Sequence, residues 1–466
     1  MTMKAAIIGG GVIGGGWAAR FLLNGWDVAV FDPDPEAERK ISEVLLNARR
    51  ALPGLYETAL PTEGKLTYHN DLAEAVAGAD WVQESVPERL ELKHKVLADL
   101  MAFAPKTAII GSSTSGFKPS ELNEKGARAI VAHPFNPVYL LPLIELVGDA
   151  DTCTRAADIL SGIGMYPLKV RKEIDAHIAD RFLEAVWREA LWLVKDGIAT
   201  TEEIDEAIRM GFGLRWAQMG LFETYRVAGG EAGMKHFMAQ FGPCLSWPWT
   251  KLMDVPEFTD ELVDLIAGQS DAQSGHMSIR ELERLRDDNL VSMLRALKAR
   301  GDGSGAGRVI RTHETGLWPA MSDETPMRTV ARDVPIDWTD YNGHMNEGRY
   351  GQVFSDAADR IMIHVGADPE YIASGLSYFT AETNIKYIDE CHAGEAVYVD
   401  TTVTLGEGKK LRMWHEMKRA SDDGLLATCD QFLLHVDLNT RKSCPPRADV
   451  EARVEALAAL HAKGDA

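Results

Sequence analysis

Residues 4–16 have the sequence KAAIIGGGVIGGG, in which a short apolar run leads directly into Gly9, Gly11 and Gly14. The run KAAIIG predicts a buried β-strand, and the segment from Val12 predicts a helix. In G-x-G-x-x-G, the first glycine permits a tight turn, the second lets the backbone approach a pyrophosphate, and the third lets helix and strand pack closely. The stretch therefore predicts a dinucleotide-binding strand–turn–helix unit, with Val12 and Ile13 among the cofactor contacts.

A carboxylate follows the second apolar run, WDVAVFD, which ends at Asp32. At this distance from the glycines, a carboxylate accepts hydrogen bonds from a ribose 2′-hydroxyl. Pro33 and Asp34 come next, so no arginine is adjacent to receive a 2′-phosphate. The sequence therefore predicts NAD as the cofactor, rather than NADP.

Alternation of apolar and amphipathic segments extends through residues 1–175 and predicts an α/β Rossmann-type parallel sheet. The strand pattern then disappears, and 176–300 predict an all-helical domain. Gly- and Ser-rich residues at the start of 301–327 predict a linker. One long helix candidate and several β-rich runs predict an α+β domain over 328–466. The chain thus has the pattern of three folded domains.

Composition limits the classes of function. A formal net charge of −21 argues against a nucleic-acid partner, whereas 45% hydrophobic and 26% charged residues are typical of a soluble globular protein. The five cysteines form no C-x-x-C pair, which predicts reduced thiols in a cytoplasm, with no disulfide framework and no metal site. An apolar run long enough to span a membrane is absent from the sequence.

Polar residues follow the predicted strands at the end where an α/β sheet binds ligands. His133 and Asn136 follow the run ARAIVA, Ser115 follows KTAIIG, and Glu145 lies in PLIELVG. Oxidation of an alcohol by NAD needs a base for the hydroxyl proton, and histidine serves near neutral pH. A carboxylate can fix the imidazole tautomer, while Ser and Asn can hold the oxygen.

The stretch HPFNPVYLLPLIEL, residues 133–146, resembles the HFFNPxxxMxLxEv region of the 3-hydroxyacyl-CoA dehydrogenase family, and the likeness covers about 3–300. It implies that His133 and Glu145 are the catalytic dyad and that Ser115 holds the substrate oxygen. It also implies that Glu88 and Lys93 lie at the cofactor site. The family's V-N-R triplet is replaced by Ala179-Asp180-Arg181, which leaves the role of Asp180 open.

The segment GFGLRWAQMGLFETY, residues 211–225, resembles family members that oxidise free hydroxy acids. Arg215 suits bidentate recognition of a carboxylate. Aromatic rings such as Trp216, Phe222 and Tyr139 could bind a quaternary ammonium group, although core packing is the alternative for any one of them. Taken whole, the chain is similar to carnitine-oxidising members that carry a fused tail, which implies carnitine as the substrate; the residues alone indicate a small 3-hydroxy acid.

The stretch DYNGHMNEGRY, residues 340–350, resembles the DxxGHxNNxxY motif of hot-dog thioesterases of the 4-hydroxybenzoyl-CoA type. The likeness implies that Asp340 attacks the thioester or activates water, and that backbone N–H groups near His344–Asn346 polarise the carbonyl. The alternative is a simple turn, because Asp-Tyr-Asn-Gly favours turns. Together with the carnitine resemblance, the likeness implies that this domain hydrolyses betainyl-CoA to glycine betaine and CoA.

Two other functions remain open from the sequence. One is a 3-hydroxyacyl-CoA dehydrogenase, for example of 3-hydroxybutyryl-CoA, with a thioesterase tail. The other is a non-catalytic protein, either a crystallin-like NAD binder or a hot-dog fold that only binds CoA esters. Both family resemblances imply a homodimer.

Overall fold

We describe a computed structural model over residues 2–228, 233–241, 247–251, 257, 259–274, 276–299, 305–318 and 320–464. The chain divides into two compact units. The first comprises Met1–Ala51 and Thr62–His313, and the second comprises Leu52–Pro61 and Glu314–Ala466.

An eight-stranded sheet forms the centre of the first unit. Its strands are β1 Lys4–Ile8, β2 Asp27–Phe31, β3 Leu66–His69, β4 Trp81–Glu84, β5 Ile109–Ser112, β6 Ile130–Pro134, β7 Leu143–Val147 and β8 Tyr166–Lys169. They lie in the order β3-β2-β1-β4-β5-β6-β7-β8, and every pair is parallel except β6 with β7. The connecting helices are α1 Val12–Leu23, α2 Ala37–Ala51, α3 Leu72–Val76, α4 Leu90–Phe103, α5 Pro119–Leu122 and α6 Ala150–Gly162.

The central strands are buried, and most of their side chains are apolar. Ala6, Ile8, Val82 and Ile110 lie in one cluster with residues of the helices that cover the sheet. Such continuous apolar strands are typical of parallel sheets covered on both sides. The Rossmann-type prediction is therefore confirmed.

Helices alone follow β8 in the described part of the first unit. They are α7 Ala179–Lys195, α8 Thr201–Ala207, a π-helix Ile208–Phe212, α9 Gly213–Ala228, α10 Gly233–Phe241, α11 Asp260–Ser274 and α12 Ile279–Lys298. A capping box begins α8, since the Thr200 hydroxyl accepts from the Glu203 amide while the Glu203 carboxylate accepts from the Thr200 amide. The all-helical prediction is confirmed.

The second unit wraps an antiparallel sheet around one long helix. Its strands are β9 Met327–Asp333, β10 Leu376–Tyr387, β11 Ala396–Glu407, β12 Lys410–Arg419, β13 Leu425–Asp437 and β14 Lys442–Ser443, in the order β10-β13-β12-β11-β9 with β14 on β13. Its helices are α14 Glu347–His364, α15 Pro369–Ala373 and α16 Ala448–Gly464, with 3₁₀ turns at Leu52–Leu55 and Ile336–Trp338. The buried face of α14, which includes Val353 and Phe354, packs on strand residues such as Val399. The predicted hot-dog architecture is confirmed.

The predicted linker over 301–327 is wrong in part, because α13 occupies Ala306–Leu317. Residues 307, 310 and 314 of this helix are buried, which is helical spacing. Two of these three are Gly307 and Glu314, so the apolar pattern that would reveal the helix is missing from the sequence. Across the residues described, none of the helices is both long and apolar enough to cross a membrane.

Candidate active sites

The turn between β1 and α1 needs glycine at two positions for packing. Gly9 has a φ of +105°, and a Cβ there would lie 2.6 Å from the Ser85 carbonyl oxygen. A Cβ on Gly14 would lie 1.8 Å from the Gly9 carbonyl oxygen. At Gly11, by contrast, a Cβ would meet no described atom within 4 Å. The backbone at Gly11 is therefore open to a ligand at the start of α1, where the helix dipole favours a phosphate.

A cavity of about 810 Å³ lies against this turn. The lining residues come from the glycine turn, the end of β2 and the turn after β4, and include Gly9, Gly11, Val12, Ile13, Asp32 and Pro87. Eight residues were predicted to bind the cofactor, and five of them line this cavity: Gly9, Gly11, Val12, Ile13 and Asp32. A sixth, Gly14, shapes the turn. The other two, Glu88 and Lys93, are placed differently.

Asp32 is held in place by backbone donors. One carboxylate oxygen accepts from the Gly10 amide, and the other accepts from the Asp34 amide at 2.7 Å. Asp34 in turn pairs with Lys40, at 2.6 Å between carboxylate oxygen and Nζ. The end of β2 therefore presents a fixed carboxylate to the cavity, which suits the ribose hydroxyls of NAD.

Lys93 does not line this cavity, and its contact with the cofactor stays a prediction. It is 1% exposed, and its Nζ lies 2.9 Å from Oε1 of the buried Glu84 and 3.2 Å from Oε2 of Glu88. Position 93 is on the inward face of α4, and its ammonium group lies between the two carboxylates. We infer that Lys93 keeps the buried Glu84 charge paired.

Glu88 binds the loop that follows β5. Its carboxylate accepts from the Thr114 hydroxyl and from the amides of Ser115 and Gly116, each amide at 3.1 Å. Burial alone would raise the pKa of Glu88, but the Thr114 hydrogen bond and the Lys93 charge outweigh it and lower the pKa. The ionised Glu88 therefore fixes the backbone of Ser115, and its direct contact with the cofactor stays a prediction.

His133 and Glu145 meet across β6 and β7. The antiparallel register pairs the two residues, and Nδ1 of His133 lies 3.1 Å from Oε2 of Glu145. Oε1 of Glu145 accepts from the amides of Ile178 and Ala179, at 2.9 and 3.1 Å. Burial would raise the pKa of Glu145, yet these hydrogen bonds outweigh burial and lower it. An ionised carboxylate thus holds the Nδ1–H tautomer and leaves Nε2 as the proton acceptor.

Two residues that our sequence reasoning did not assign complete the surroundings of His133. Oδ2 of Asp180 lies 3.4 Å from Nε2 of His133. His177 is buried, its ring centroid is 5.4 Å from that of His133, and its Nε2 donates to the Thr114 carbonyl at 3.2 Å. Burial first, and then the His133 charge, lowers the pKa of His177, so this ring is neutral near pH 7. The departure from V-N-R marked Asp180, but no sequence motif marked His177.

The remaining predicted residues of the first unit are placed as follows. Ser115 and Asn136 are exposed, on the loops after β5 and β6. Tyr139 is 3% exposed, and its hydroxyl donates to Oδ2 of Asp287 at 2.6 Å. This burial contradicts the predicted substrate contact of Tyr139 and indicates a packing role instead. The sequence could not reveal this, because Asp287 lies on α12, far along the chain.

Arg215, Trp216 and Phe222 all lie on α9 with exposed side chains. Trp216 packs against Phe212, with ring centroids 4.7 Å apart. Phe222 is 70% exposed. The structure therefore presents these residues on a surface, and their binding roles stay predictions.

In the second unit, Asp340 lies in a tight loop before α14. Its Oδ1 accepts from the amides of Asn342 and His344, at 2.8 and 3.3 Å. Gly343 completes the loop with a φ of +83°. The turn expected from Asp-Tyr-Asn-Gly is thus present. Asp340 is half-buried, and these two amides hold its Oδ1 but not its Oδ2.

The amides predicted to polarise a thioester carbonyl are occupied. The N–H of His344 donates to Asp340, that of Met345 to the Cys391 carbonyl at 2.7 Å, and that of Asn346 to the Trp338 carbonyl at 2.9 Å. This prediction is therefore wrong for residues 344–346. The amides of residues 344–346 already donate hydrogen bonds before α14 begins. An amide that polarises the thioester carbonyl would therefore belong to Glu347 or to a later residue of α14.

Three side chains surround this loop. Nε2 of His344 lies 3.1 Å from Oε2 of Glu390, and the His344 and His392 rings pack edge to face. Each of the three offers one potential ligand atom within 4.8 Å of the others, so they could chelate a divalent cation. Two of the three are exposed, and the ion pair with its ring contact accounts for their placement.

A buried charge cluster in the second unit also had no sequence signal. The Arg332 guanidinium carbon lies 3.9 Å from the Trp338 ring centroid, and its Nη1 lies 2.6 Å from Glu57 and 3.5 Å from Asp356. Glu57 comes from the segment Leu52–Pro61 of the same unit. Burial raises the pKa of Asp356 to about 6, although the Gln352 hydrogen bond and the Arg332 charge oppose this.

The two folds and their sites define an NAD-dependent dehydrogenase joined to a hot-dog thioesterase. Residues 4–174 match the NAD binding domain of 3-hydroxyacyl-CoA dehydrogenase, 177–255 match its C-terminal domain, and 334–454 match the thioesterase-like superfamily. A crystal structure of 5-formyl-3-hydroxy-2-methylpyridine 4-carboxylic acid 5-dehydrogenase, an NAD⁺-dependent dismutase, is 27% identical with a TM-score of 0.56. It covers 65% of this chain and 100% of that one.

Two relatives match nearly the whole chain. The L-carnitine dehydrogenase/betainyl-CoA thioesterase of Ruegeria pomeroyi is 66% identical, over 98% of this chain and 96% of its own length. The protein of the same name from Agrobacterium fabrum is 57% identical, over 95% and 92%. The chain belongs to this family of L-carnitine dehydrogenase/betainyl-CoA thioesterases.

Proposed function

We propose that the first unit oxidises L-carnitine to 3-dehydrocarnitine with NAD, and that the second unit hydrolyses betainyl-CoA to glycine betaine and CoA. The observation that carries the proposal is the buried His133–Glu145 pair in a chain that resembles bifunctional relatives along nearly its whole length. The alternative substrates, a 3-hydroxyacyl-CoA or another hydroxy acid, would use the same dyad.

His133 acts as the base in this proposal. Nε2 removes the hydroxyl proton, while Glu145, at 3.1 Å from Nδ1, stabilises the imidazolium that forms. The residues of the glycine turn would hold NAD, which would supply the acceptor for the hydride of the carbinol carbon. Because Glu145 is already held by two backbone amides, the carboxylate needs no reorganisation as the histidine becomes charged.

Ser115 and Asn136 hold the substrate oxygen in the proposed complex. The Ser115 backbone is fixed by Glu88, and the preceding Thr114 carbonyl accepts the N–H of His177. The loop is therefore tied on one side to Glu88 and on the other to the histidine beside His133. This double attachment supports a defined position for the Ser115 hydroxyl.

Arg215 receives the substrate carboxylate, and the aromatic surface of α9 with Trp216 and Phe222 lies near the ammonium group in our proposal. A guanidinium forms paired hydrogen bonds with a carboxylate, which favours a free acid over a thioester. Aromatic faces attract quaternary ammonium groups by roughly 0.5–2 kcal/mol per contact.

Asp340 supplies the catalytic carboxylate of the second unit, either by attacking the thioester carbon or by activating water. Amides hold its Oδ1, so Oδ2 is the atom that would act. Oxidised carnitine must first be converted to betainyl-CoA by a separate enzyme, so the two units would serve different steps of one breakdown route.

We also propose a homodimer in the cytoplasm. The helix α7 exposes Phe182, Leu183, Val186 and Trp187. The last three line an apolar groove with Leu191 of the same helix and Ile204 of α8. A second copy would cover such a surface. Cys153, Cys391, Cys429 and Cys444 are all free thiols, which supports a reducing compartment.

The testing experiment is NADH formation by the purified full chain with NAD and, in parallel, L-carnitine, L-gulonate or 3-hydroxybutyryl-CoA. We expect turnover with L-carnitine alone. Turnover with 3-hydroxybutyryl-CoA instead would overturn the substrate assignment and would make the tail a thioesterase of the acyl-CoA pool.

A further inference from the structure

We propose that Asp180 binds the quaternary ammonium group of the substrate and so selects a cationic hydroxy acid over a neutral one. This inference rests on the proposed oxidation of L-carnitine and deepens it, because it assigns the cation to one carboxylate of the site.

The position of Asp180 at the proton-accepting nitrogen carries the inference. Oδ2 of Asp180 lies 3.4 Å from Nε2 of His133, the atom that must come within hydrogen-bond distance of the substrate hydroxyl. In carnitine the ammonium nitrogen is bonded to the carbon next to the carbinol. A substrate whose hydroxyl is placed on Nε2 therefore brings its cation into the neighbourhood of Asp180.

Asp180 is also the carboxylate at this centre that remains open to a ligand. Glu145 is completely buried, with one oxygen on His133 and the other on two amides. The Asp180 side chain is 21% exposed, in the first turn of α7. Its carboxylate is therefore partly accessible beside Nε2 of His133.

The surroundings make a cationic ligand favourable for Asp180. Burial raises its pKa, the His133 charge opposes this, and Glu145 adds to it. The nearby His177 also opposes the rise in the pKa of Asp180, but burial lowers the pKa of His177 itself. A fixed ammonium group would place a permanent positive charge beside Asp180 at a site where water is partly excluded.

The test compares L-carnitine with its neutral isostere, 3-hydroxy-5,5-dimethylhexanoate, in which a tert-butyl group replaces trimethylammonium. For Asp180→Asn we expect kcat/KM for L-carnitine to fall about 30-fold or more, mainly through KM, because a partly buried charge pair is broken. The value for the isostere should change by less than about threefold. Asp158→Asn, an exposed position on α6, is the matched control and should leave both values unchanged.

Equal losses for both substrates would overturn the proposal and show that Asp180 acts through His133. Unchanged preference for L-carnitine in Asp180→Asn would also overturn it. A wild-type enzyme that does not oxidise L-carnitine would instead overturn the proposed function, so the two failures are distinguishable.

Discussion

His133 and Glu145 lie directly opposite each other on β6 and β7, the antiparallel pair of an otherwise parallel sheet, with Nδ1 and Oε2 3.1 Å apart. A short connection can join antiparallel strands, whereas parallel strands need a long crossover. The two side chains are only twelve residues apart because β6 and β7 run antiparallel. The backbone hydrogen bonds between these strands fix the position of the dyad.

His133→Gln should abolish NADH formation. The amide cannot take the hydroxyl proton, so we expect kcat to fall by about 10²–10⁴-fold. The cavity at the glycine turn does not include residue 133, so NAD affinity, measured by fluorescence titration, should stay within about twofold of wild type. Retention of most turnover would show that the dyad assignment is wrong.

Glu145→Gln should change how stability depends on pH. The folded pKa of Glu145 is lowered, so the charged form stabilises the protein above the ordinary pKa of 4.5, and this stabilisation is lost as pH falls through the folded value. Near pH 7 the variant should be less stable by about 1.5–3 kcal/mol, because charged hydrogen bonds of a buried group are lost.

Denaturant unfolding of wild type and Glu145→Gln between pH 3 and 7 measures this difference. The two stability curves should converge as the pH falls below the ordinary pKa of 4.5 and through the lowered pKa of the folded state. A difference that stays constant across the range would mean that the Glu145 charge does not contribute to folding.

The sequence predicted most of the first unit because its signals are local. Gly9, Gly11 and Gly14 act within one turn, and the spacing of His133 and Glu145 follows from one strand pair. The edge strand β3 went unpredicted because each of its residues is half-buried, so it has no continuous apolar run.

Contacts between residues that are far apart in the sequence could not be predicted. Lys93 has the residue type of a phosphate ligand, but the face of α4 that it occupies turns it toward Glu84. Tyr139 meets Asp287 only after α12 has packed. In the same way, no local pattern records that Met345 and Asn346 donate their amides to Cys391 and Trp338.

Gly14→Ala and Gly11→Ala should separate folding from cofactor binding. The Cβ at residue 14 would collide with the Gly9 carbonyl, so we expect a loss of more than about 1–3 kcal/mol in unfolding free energy. The Cβ at residue 11 has free space, so that variant should fold normally yet bind NAD about tenfold more weakly, since the pyrophosphate approaches there. Equal NAD affinity of Gly11→Ala and wild type would contradict the assigned position of the pyrophosphate.

Arg332→Met should destabilise the second unit. The change leaves Glu57 and Asp356 without their buried cation, which costs about 3–5 kcal/mol when one partner of a buried pair is removed. Arg447→Met removes a half-exposed arginine whose partner is Asp449, and should cost less than about 1 kcal/mol. Thermal unfolding of both variants provides the comparison, and equal small losses would show that the Arg332 cluster is not needed for stability.

Asp340→Asn should abolish thioester hydrolysis while NADH formation from L-carnitine continues. The amides of Asn342 and His344 donate to Oδ1 of Asp340. An asparagine can keep its Oδ1 at that place and so preserve the loop, while an uncharged NH₂ group replaces Oδ2. We expect CoA release from betainyl-CoA, followed with a thiol reagent, to fall by about 10²-fold or more, because neither nucleophilic attack nor activation of water is open to an amide. Glu370→Gln, exposed on α15, is the control and should release CoA at the wild-type rate. Undiminished release by Asp340→Asn would remove Asp340 from the mechanism and leave it as the residue that closes the turn before α14.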